Sequence, residues 1–280
     1  MNYRHSFHAG NHADVFKHAV LLRMLQLMQR KETPLCYLDS HAGTSLYDLL
    51  GEQAGKTGEY REGIGRLWQA GNVPPLLADY RAAVARHNPD GDLQLYPGSP
   101  QLIADALREQ DRMILSELHP QDADTLKVHF AGQDAIAVHH RDGYELGKAF
   151  LPVAEKRALW LLDPPFEQPD DLLRCLQAMD AGLQRMRHCV IALWYPIKDT
   201  RALKSFYQQV AQRDWPKVLR IEFNVRPADT SLGLNGSGLI LVNPPWPLWE
   251  ELETVLPWLN KLLTQSAGAD WRMDWLVGAP

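Results

Sequence analysis

Seven short apolar runs, most separated by helical patterns of 10 to 20 residues, leave this 280-residue chain few folds to choose from. They are Leu35–Asp39, Met113–Glu117, Ala135–His139, Ala158–Asp163, Cys189–Trp194, Val218–Val225 and Gly238–Asn243. Runs that are apolar almost throughout, rather than alternating, mark strands buried on both faces. Strands alternating with helices predict an α/β fold, a seven-stranded mostly parallel sheet covered on both sides. Such sheets take ligands at the carboxyl ends of their strands. The polar residues that close these runs are therefore the ones to inspect.

Around that frame, the spacing predicts a helix from Asp14, read as its capping residue, to about Arg30, stopped by Thr33-Pro34. Residues 45–96 break the alternation: helical stretches at 63–70 and 76–87, loop signals at Gly71-Asn72 and Asn88-Pro-Asp-Gly91, and no run convincing as a core strand. They read as a helical subdomain inserted between the first strand and a helix starting near Ser99-Pro100, where a Ser cap precedes Pro at the first helical position. The expected organisation is one domain over 1–280, with the insertion at 45–96 and a basic N-terminal arm and helix at 1–31. The length fits one large domain or two modest ones.

Charge sharpens the arm. The chain holds 29 Lys+Arg against 34 Asp+Glu, a net −5, which argues against gripping nucleic acid with the whole surface. Residues 1–31 nevertheless carry Arg4, Lys17, Arg23, Arg30 and Lys31 against Asp14 alone, and 201–226 carry six cations against two acids, so each segment is +4. Each reads either as a solvated helix face or as part of a restricted basic surface. Three cysteines (Cys36, Cys175, Cys189) without CxxC spacing imply reduced, buried thiols. With no apolar stretch of membrane-spanning length and no signal-peptide h-region at the N-terminus, a cytoplasmic protein without membrane contact is expected.

The sharpest chemical signal is Asp163-Pro164-Pro165-Phe166, directly after an apolar strand. The prolines remove amide donors, leaving the Asp163 carboxylate and prolyl carbonyls as acceptors beside an aromatic ring. That suits an exocyclic amino group, whose N–H groups donate to carboxylate and carbonyl while the base stacks on Phe166. The bare tetrapeptide also reads as a rigid loop, a reading that its place after the fourth strand weakens. Asn243-Pro244-Pro245-Trp246 has the same pattern but follows the last run, at an expected sheet edge, and reads as structural. Asp39-Ser-His41-Ala-Gly43 is a degenerate glycine loop. Glu117 ends the second run and suits ribose hydroxyls; Asp142-Gly143 follows the third and suits an adenine amino group. Each acid alone is an ordinary strand end. Jointly they describe an adenosine-bearing cofactor.

Six segments then carry a resemblance: Tyr3-Arg-His-Ser-Phe-His-Ala-Gly-Asn-His-Ala-Asp-Val-Phe-Lys-His18, Tyr37–Gly43, Tyr96-Pro-Gly-Ser-Pro100, Glu117-Leu-His-Pro120, Asp163–Phe166 and Ala192-Leu-Trp-Tyr-Pro196. Over essentially its whole length the chain resembles the RlmJ-type 23S ribosomal RNA adenine-N6 methyltransferases. The resemblance implies a Rossmann-like class I methyltransferase fold with an inserted helical subdomain, S-adenosylmethionine as cofactor, and no metal. It implies that Lys17, His18, His41 and Ser99 hold the methionine end, Glu117 the ribose, and Asp142 and Gly143 the adenine. Asp163 would orient and deprotonate the target amino group, with Pro164 and Phe166 beside it, and Tyr3 would touch the RNA. Phe166 stands where the family commonly has Tyr, which preserves stacking and loses a hydroxyl. Single-stranded or hairpin 23S RNA is the expected substrate, with no obligate protein partner evident.

Two other classes remain to be weighed. His5, His8, His12 and His18 raise a zinc hydrolase, but Gly10-Asn11 interrupts the spacing and no acidic ligand cluster accompanies it. A non-catalytic RNA-binding module would leave the cofactor and acceptor positions unexplained. Within methyltransferases, the Asp-Pro-Pro-Phe pattern serves DNA adenine equally well, and only the resemblance selects ribosomal RNA.

Overall fold

A computed structural model describes residues 4–198, 200–231 and 233–278. All seven apolar runs become strands of one sheet: β1 (Cys36–Asp39), β4 (Arg112–Glu117), β5 (Ile136–His140), β6 (Ala158–Leu162), β7 (Val190–Ile197), β8 (Val218–Asn224) and β9 (Gly236–Val242). An eighth strand, β10 (Asp270–Val277), was not expected from the apolar runs, and it pairs antiparallel with β8 at the sheet edge. Its alternation of Trp271, Met273 and Trp275 with Asp270, Arg272 and Asp274 is that of a half-covered edge, not of a continuous apolar run.

The strand order is β10-β8-β9-β7-β6-β1-β4-β5, with β5, β4, β1, β6 and β7 all parallel and β9 reversed between β7 and β8. This is the Rossmann-like methyltransferase topology with one added edge strand. Order reverses between β1 and β6, so the carboxyl ends of these two strands flank the crevice where such sheets bind ligands. Alternate strand residues feed two cores. Tyr37, Leu115, Leu159, Leu161, Ala192 and Leu241 pack on one face with helices α1 (His12–Gln29), α5 (Ser99–Ala104), α6 (Pro120–His129) and α10 (Leu248–Leu263). Leu38, Ile114, Trp160, Leu162 and Leu193 pack on the other with α7 (Leu146–Phe150), α8 (Asp171–Arg185) and α9 (Thr200–Ala211).

Helix α1 is buried along almost its entire length, polar residues included. Its cap is Asn11, whose side-chain oxygen accepts from the amides of Ala13 and Asp14, and not Asp14 as the sequence suggested. Asp14 instead lies one turn inside, with its carboxylate turned to other partners. The interval 45–96 holds α2 (Glu52–Thr57), α3 (Ile64–Gln69) and α4 (Pro75–Ala85), closed by an antiparallel ribbon of β2 (Leu46–Asp48) and β3 (Leu95–Pro97). At three residues each, these strands are too short to show a period, which is why the interval read as free of strands. Gly63 seats this region on the N-terminal segment: a Cβ there would meet the Gly10 carbonyl oxygen at 2.2 Å.

The three cysteines are buried and unpaired. Among the described residues no helix is long and apolar enough to cross a membrane. The cations of the basic segments are largely matched by carboxylates distant in sequence: Arg4 by Asp122, Arg23 and Arg30 by Glu251, Arg213 by Asp180 and Arg220 by Asp274. Local sums of +4 thus overstate the charge presented to solvent.

Candidate active site

A cleft of about 480 Å³ opens at the carboxyl ends of β1, β4 and β6. Its lining includes Lys17 and His18 from α1, His41 and Gly43 from the turn after β1, Ser99 from α5, Glu117 from β4, Asp163 and Pro164 from the turn after β6, and Trp194 from β7. Seven of the expected site residues, Lys17, His18, His41, Ser99, Glu117, Asp163 and Pro164, are thereby brought together from five separate elements. Tyr3 lies outside the described residues.

Lys17 sits at the centre. Its ammonium hydrogen-bonds the Asp163 carboxylate and lies 3.0 Å from Asp14 Oδ1, with the Trp194 ring 5.5 Å away. Burial alone would lower the Lys17 pKa, but the Asp14 and Asp163 charges outweigh it and hold the ammonium above its ordinary value. Burial works the same way against Asp14, and the Lys17 ammonium and the hydrogen bond with His5 overcome it, holding that carboxyl well below the usual range. Asp14 also accepts from the Gly10 amide and from His5 Nε2, each at 2.9 Å.

Of the four histidines lining the cleft, His18 and His41 are neutral. Burial lowers His18 to about 3 and His41 to about 4. His18 Nδ1 lies 2.7 Å from the Tyr96 hydroxyl, itself 2.8 Å from that of Tyr80, so a buried relay fixes the ring. Ser99 does not cap its helix; Gly98 occupies that position, and the Ser99 hydroxyl donates to Asp39 Oδ2 at 2.7 Å. Asp39 is fully buried, accepts also from the Tyr37 hydroxyl and the His41 amide, and burial pushes its carboxyl up to about 6.

Glu117 accepts from the amides of Gly43 and His119, both at 2.8 Å, which ties the glycine turn to the end of β4 and leaves each oxygen a lone pair for a hydroxyl. Asp142 and Gly143 stand beyond this cleft, in the turn after β5. Asp142 accepts from the Tyr144 amide at 3.0 Å and from Arg174 at 2.9 Å. Gly143 lies against the turn after β1: a Cβ there would meet the Ser40 carbonyl oxygen at 1.8 Å. Phe166 is not in the lining either. Its ring packs edge-on to Trp194, 5.7 Å between centroids, behind the indole that forms the wall.

The second tetrapeptide is elsewhere. β9 is interior rather than at the edge, but it runs antiparallel, so Val242 pairs with Ile191 at the start of β7 and Asn243 faces the opposite end of the sheet from Asp163. There the Asn243 side chain donates to the carbonyls of Arg187 and Cys189.

Sequence reasoning passed over Asp14 and Trp194 as site residues and named Asp39 only as the start of the glycine loop. Asp14 offered one signal, its spacing of three and four from Lys17 and His18, which places all three on one helical face. The histidine spacing resolves into separate partners: His5 to Asp14, His8 to Glu59, and His18 to Tyr96. Among the described residues no group of three or more His, Cys, Asp or Glu is placed to hold a metal.

A model of the family described as ribosomal RNA large subunit methyltransferase D, RlmJ, matches residues 32–277. The chain belongs to this family. It is 39% identical over 278 residues to the ribosomal RNA large subunit methyltransferase J of Haemophilus influenzae, covering 99% of each. It is likewise 39% identical over 277 residues to that of Escherichia coli K12, again covering 99% of each. A crystal structure of a Legionella pneumophila protein superposes with a TM-score of 0.88 at 32% identity, covering 95% of this chain and 98% of that one. The family's cofactor is S-adenosylmethionine, and the donor set fits it. Lys17 offers an ammonium for a carboxylate, neutral His18 and His41 carry acceptor nitrogens for an ammonium, and Glu117 offers lone pairs for a diol. The close approach at Gly143 keeps the turns after β1 and β5 in contact along one edge.

Proposed function

We propose that the chain methylates the exocyclic N6 of an adenine in 23S ribosomal RNA, in a single-stranded or hairpin region, with the base turned out of its stack. One observation carries the reading: the Asp163 carboxylate stands in the cleft wall at the end of β6, beside Pro164 and Pro165, which have no amide hydrogens, and close to the Trp194 indole. Lys17, His18, His41 and Ser99 would hold the methionine end of the cofactor, Glu117 the ribose, and Asp142 and Gly143 the adenine. When bound, S-adenosylmethionine supplies a methyl group on a sulfonium, already an excellent leaving group.

The protein's task is then alignment. An adenine amino nitrogen is a poor nucleophile because its lone pair is delocalised into the ring. Asp163 and a prolyl carbonyl accept its two N–H groups, which favours a more pyramidal, electron-rich nitrogen, and Asp163 takes the proton released on methylation. Trp194, buttressed by Phe166, gives the base a face to stack on. Turning the base out costs a few kcal/mol, least where it is unpaired, and this favours loops over helices. The insertion at 45–96, which lines the cleft through Tyr47 and Glu59, belongs to the same working unit.

Asp163→Ala should abolish methyl transfer and leave S-adenosylmethionine affinity within several-fold. Retained turnover would remove Asp163 from the mechanism. Mapping N6-methyladenine in 23S RNA from cells with and without the gene tests the substrate: one site must disappear in the deletion. Loss of a mark from DNA instead would reassign the substrate.

A further inference from the structure

Asp14 is 1% exposed, accepts three donors and has no place in any of the roles above. Its carboxylate and that of Asp163 hold the same ammonium from two sides. Lys17 is 3% exposed, so solvent does little to screen the two pairs. Lys17 engages Asp163 through Oδ2 alone; were Asp163 its sole counter-charge, the ammonium would draw on Oδ1 as well, the oxygen that an amino group needs. A second carboxylate divides the pull. We infer that Asp14 is a positioning residue for methyl transfer: it anchors the Lys17 ammonium so that Asp163 remains free to accept from the substrate amino group.

The anchor is itself well fixed. Asp14 lies in the first turn of α1 behind the Asn11 cap, and its second oxygen takes the Gly10 amide and His5 Nε2. The segment at the mouth of the cleft and the ammonium at its floor thus share one carboxylate. Asparagine is nearly isosteric and keeps an acceptor oxygen, but removes the charge that competes with Asp163.

The inference rests on Asp163 as acceptor, and the test separates the two. On the full chain, Asp14→Asn should lower kcat at least tenfold while changing KM for the RNA less than threefold. In a Lys17→Gln background the same substitution should cost less than threefold, since there is no ammonium left to position; a merely structural role would cost as much in both backgrounds. A loss below tenfold in the single variant, a loss confined to KM, or an equal loss in both backgrounds overturns the role. The double variant carries no unpaired buried ammonium at this point, so it reports even if Asp14→Asn alone fails to fold: kcat within threefold of Lys17→Gln is expected, and a further tenfold drop refutes. If Asp163→Ala is inactive while Asp14→Asn is fully active, only the role of Asp14 falls; if Asp163→Ala turns over, the acceptor reading falls first.

Discussion

Gly143→Ala isolates the contact between the turns after β1 and β5 and tests whether cofactor binding depends on it. The φ of Gly143 lies outside the left-handed region, so alanine meets no backbone penalty and the effect is steric alone. The new Cβ would stand 1.8 Å from the Ser40 carbonyl oxygen, 2.7 Å from its carbon and 3.0 Å from His41 Cε1. Ordinary contact starts near 3.4 Å, so the turns after β1 and β5 must part by 3.4 − 1.8 = 1.6 Å. The obstacle is backbone on backbone, with no flexible side chain to yield, and overpacking of this kind costs about 1–3 kcal/mol. The free protein relieves the strain by opening; binding must close it again. At about 1.4 kcal/mol per decade, S-adenosylmethionine should therefore bind roughly 5- to 150-fold more weakly. Isothermal titration of the cofactor into wild type and variant reads this directly, with Gly71→Ala, whose Cβ meets nothing within 4 Å, as the control. Affinity within twofold of wild type for Gly143→Ala would show that the cofactor does not need the two turns in contact.

Asp39 and Trp246 supply two further tests. Burial raises the Asp39 carboxyl to about 6, against about 3.9 in an unfolded chain. The folded state holds this proton more tightly, so Asp39 favours folding most at low pH, and stability falls by about 3 kcal/mol as pH rises from about 4 to 6. Urea unfolding of Asp39→Asn across that range should show a shallower fall than wild type, and identical slopes would mean that Asp39 binds its proton no more tightly folded than unfolded. Trp246, 69% exposed at the end of the sheet away from Asp163, should be replaceable by alanine with turnover within twofold. A tenfold loss would bring the second Pro-Pro-aromatic segment into function after all.

The sheet was legible because its central strands are buried on both faces, and seven apolar runs with polar ends can scarcely be read otherwise. β10 escaped because an edge strand needs only one apolar face, and β2 and β3 because three residues carry no period. In the site, Asp163 was visible for a local reason: two prolines after a strand are rare and rigid. Asp14 was invisible for a global one. It looks like any acid in the first turn of a helix, and its meaning depends on Asp163, which Lys17 meets across 146 positions of sequence. The basic arm misled in the same way, since Arg4, Arg23 and Arg30 find their carboxylates in α6 and α10. The aromatic wall was half-read: Phe166, expected to stack on the base, is outside the cleft lining and packs edge-on to Trp194, which lines it and lies within another segment of the resemblance.

The burial of α1 on every side carries a consequence for synthesis. This helix is made before the elements it packs against, α4, α5, β9 and α10, and β9 begins 207 residues after α1 ends, at Gly236 against Gln29. Until then α4 and α5 cover it only in part, and contacts between such distant segments form slowly. Lys17 can take its place only after Asp163 and Trp194 have been made, and His18 after Tyr96. Cofactor binding should therefore be absent from every truncated nascent chain that stops short of β9.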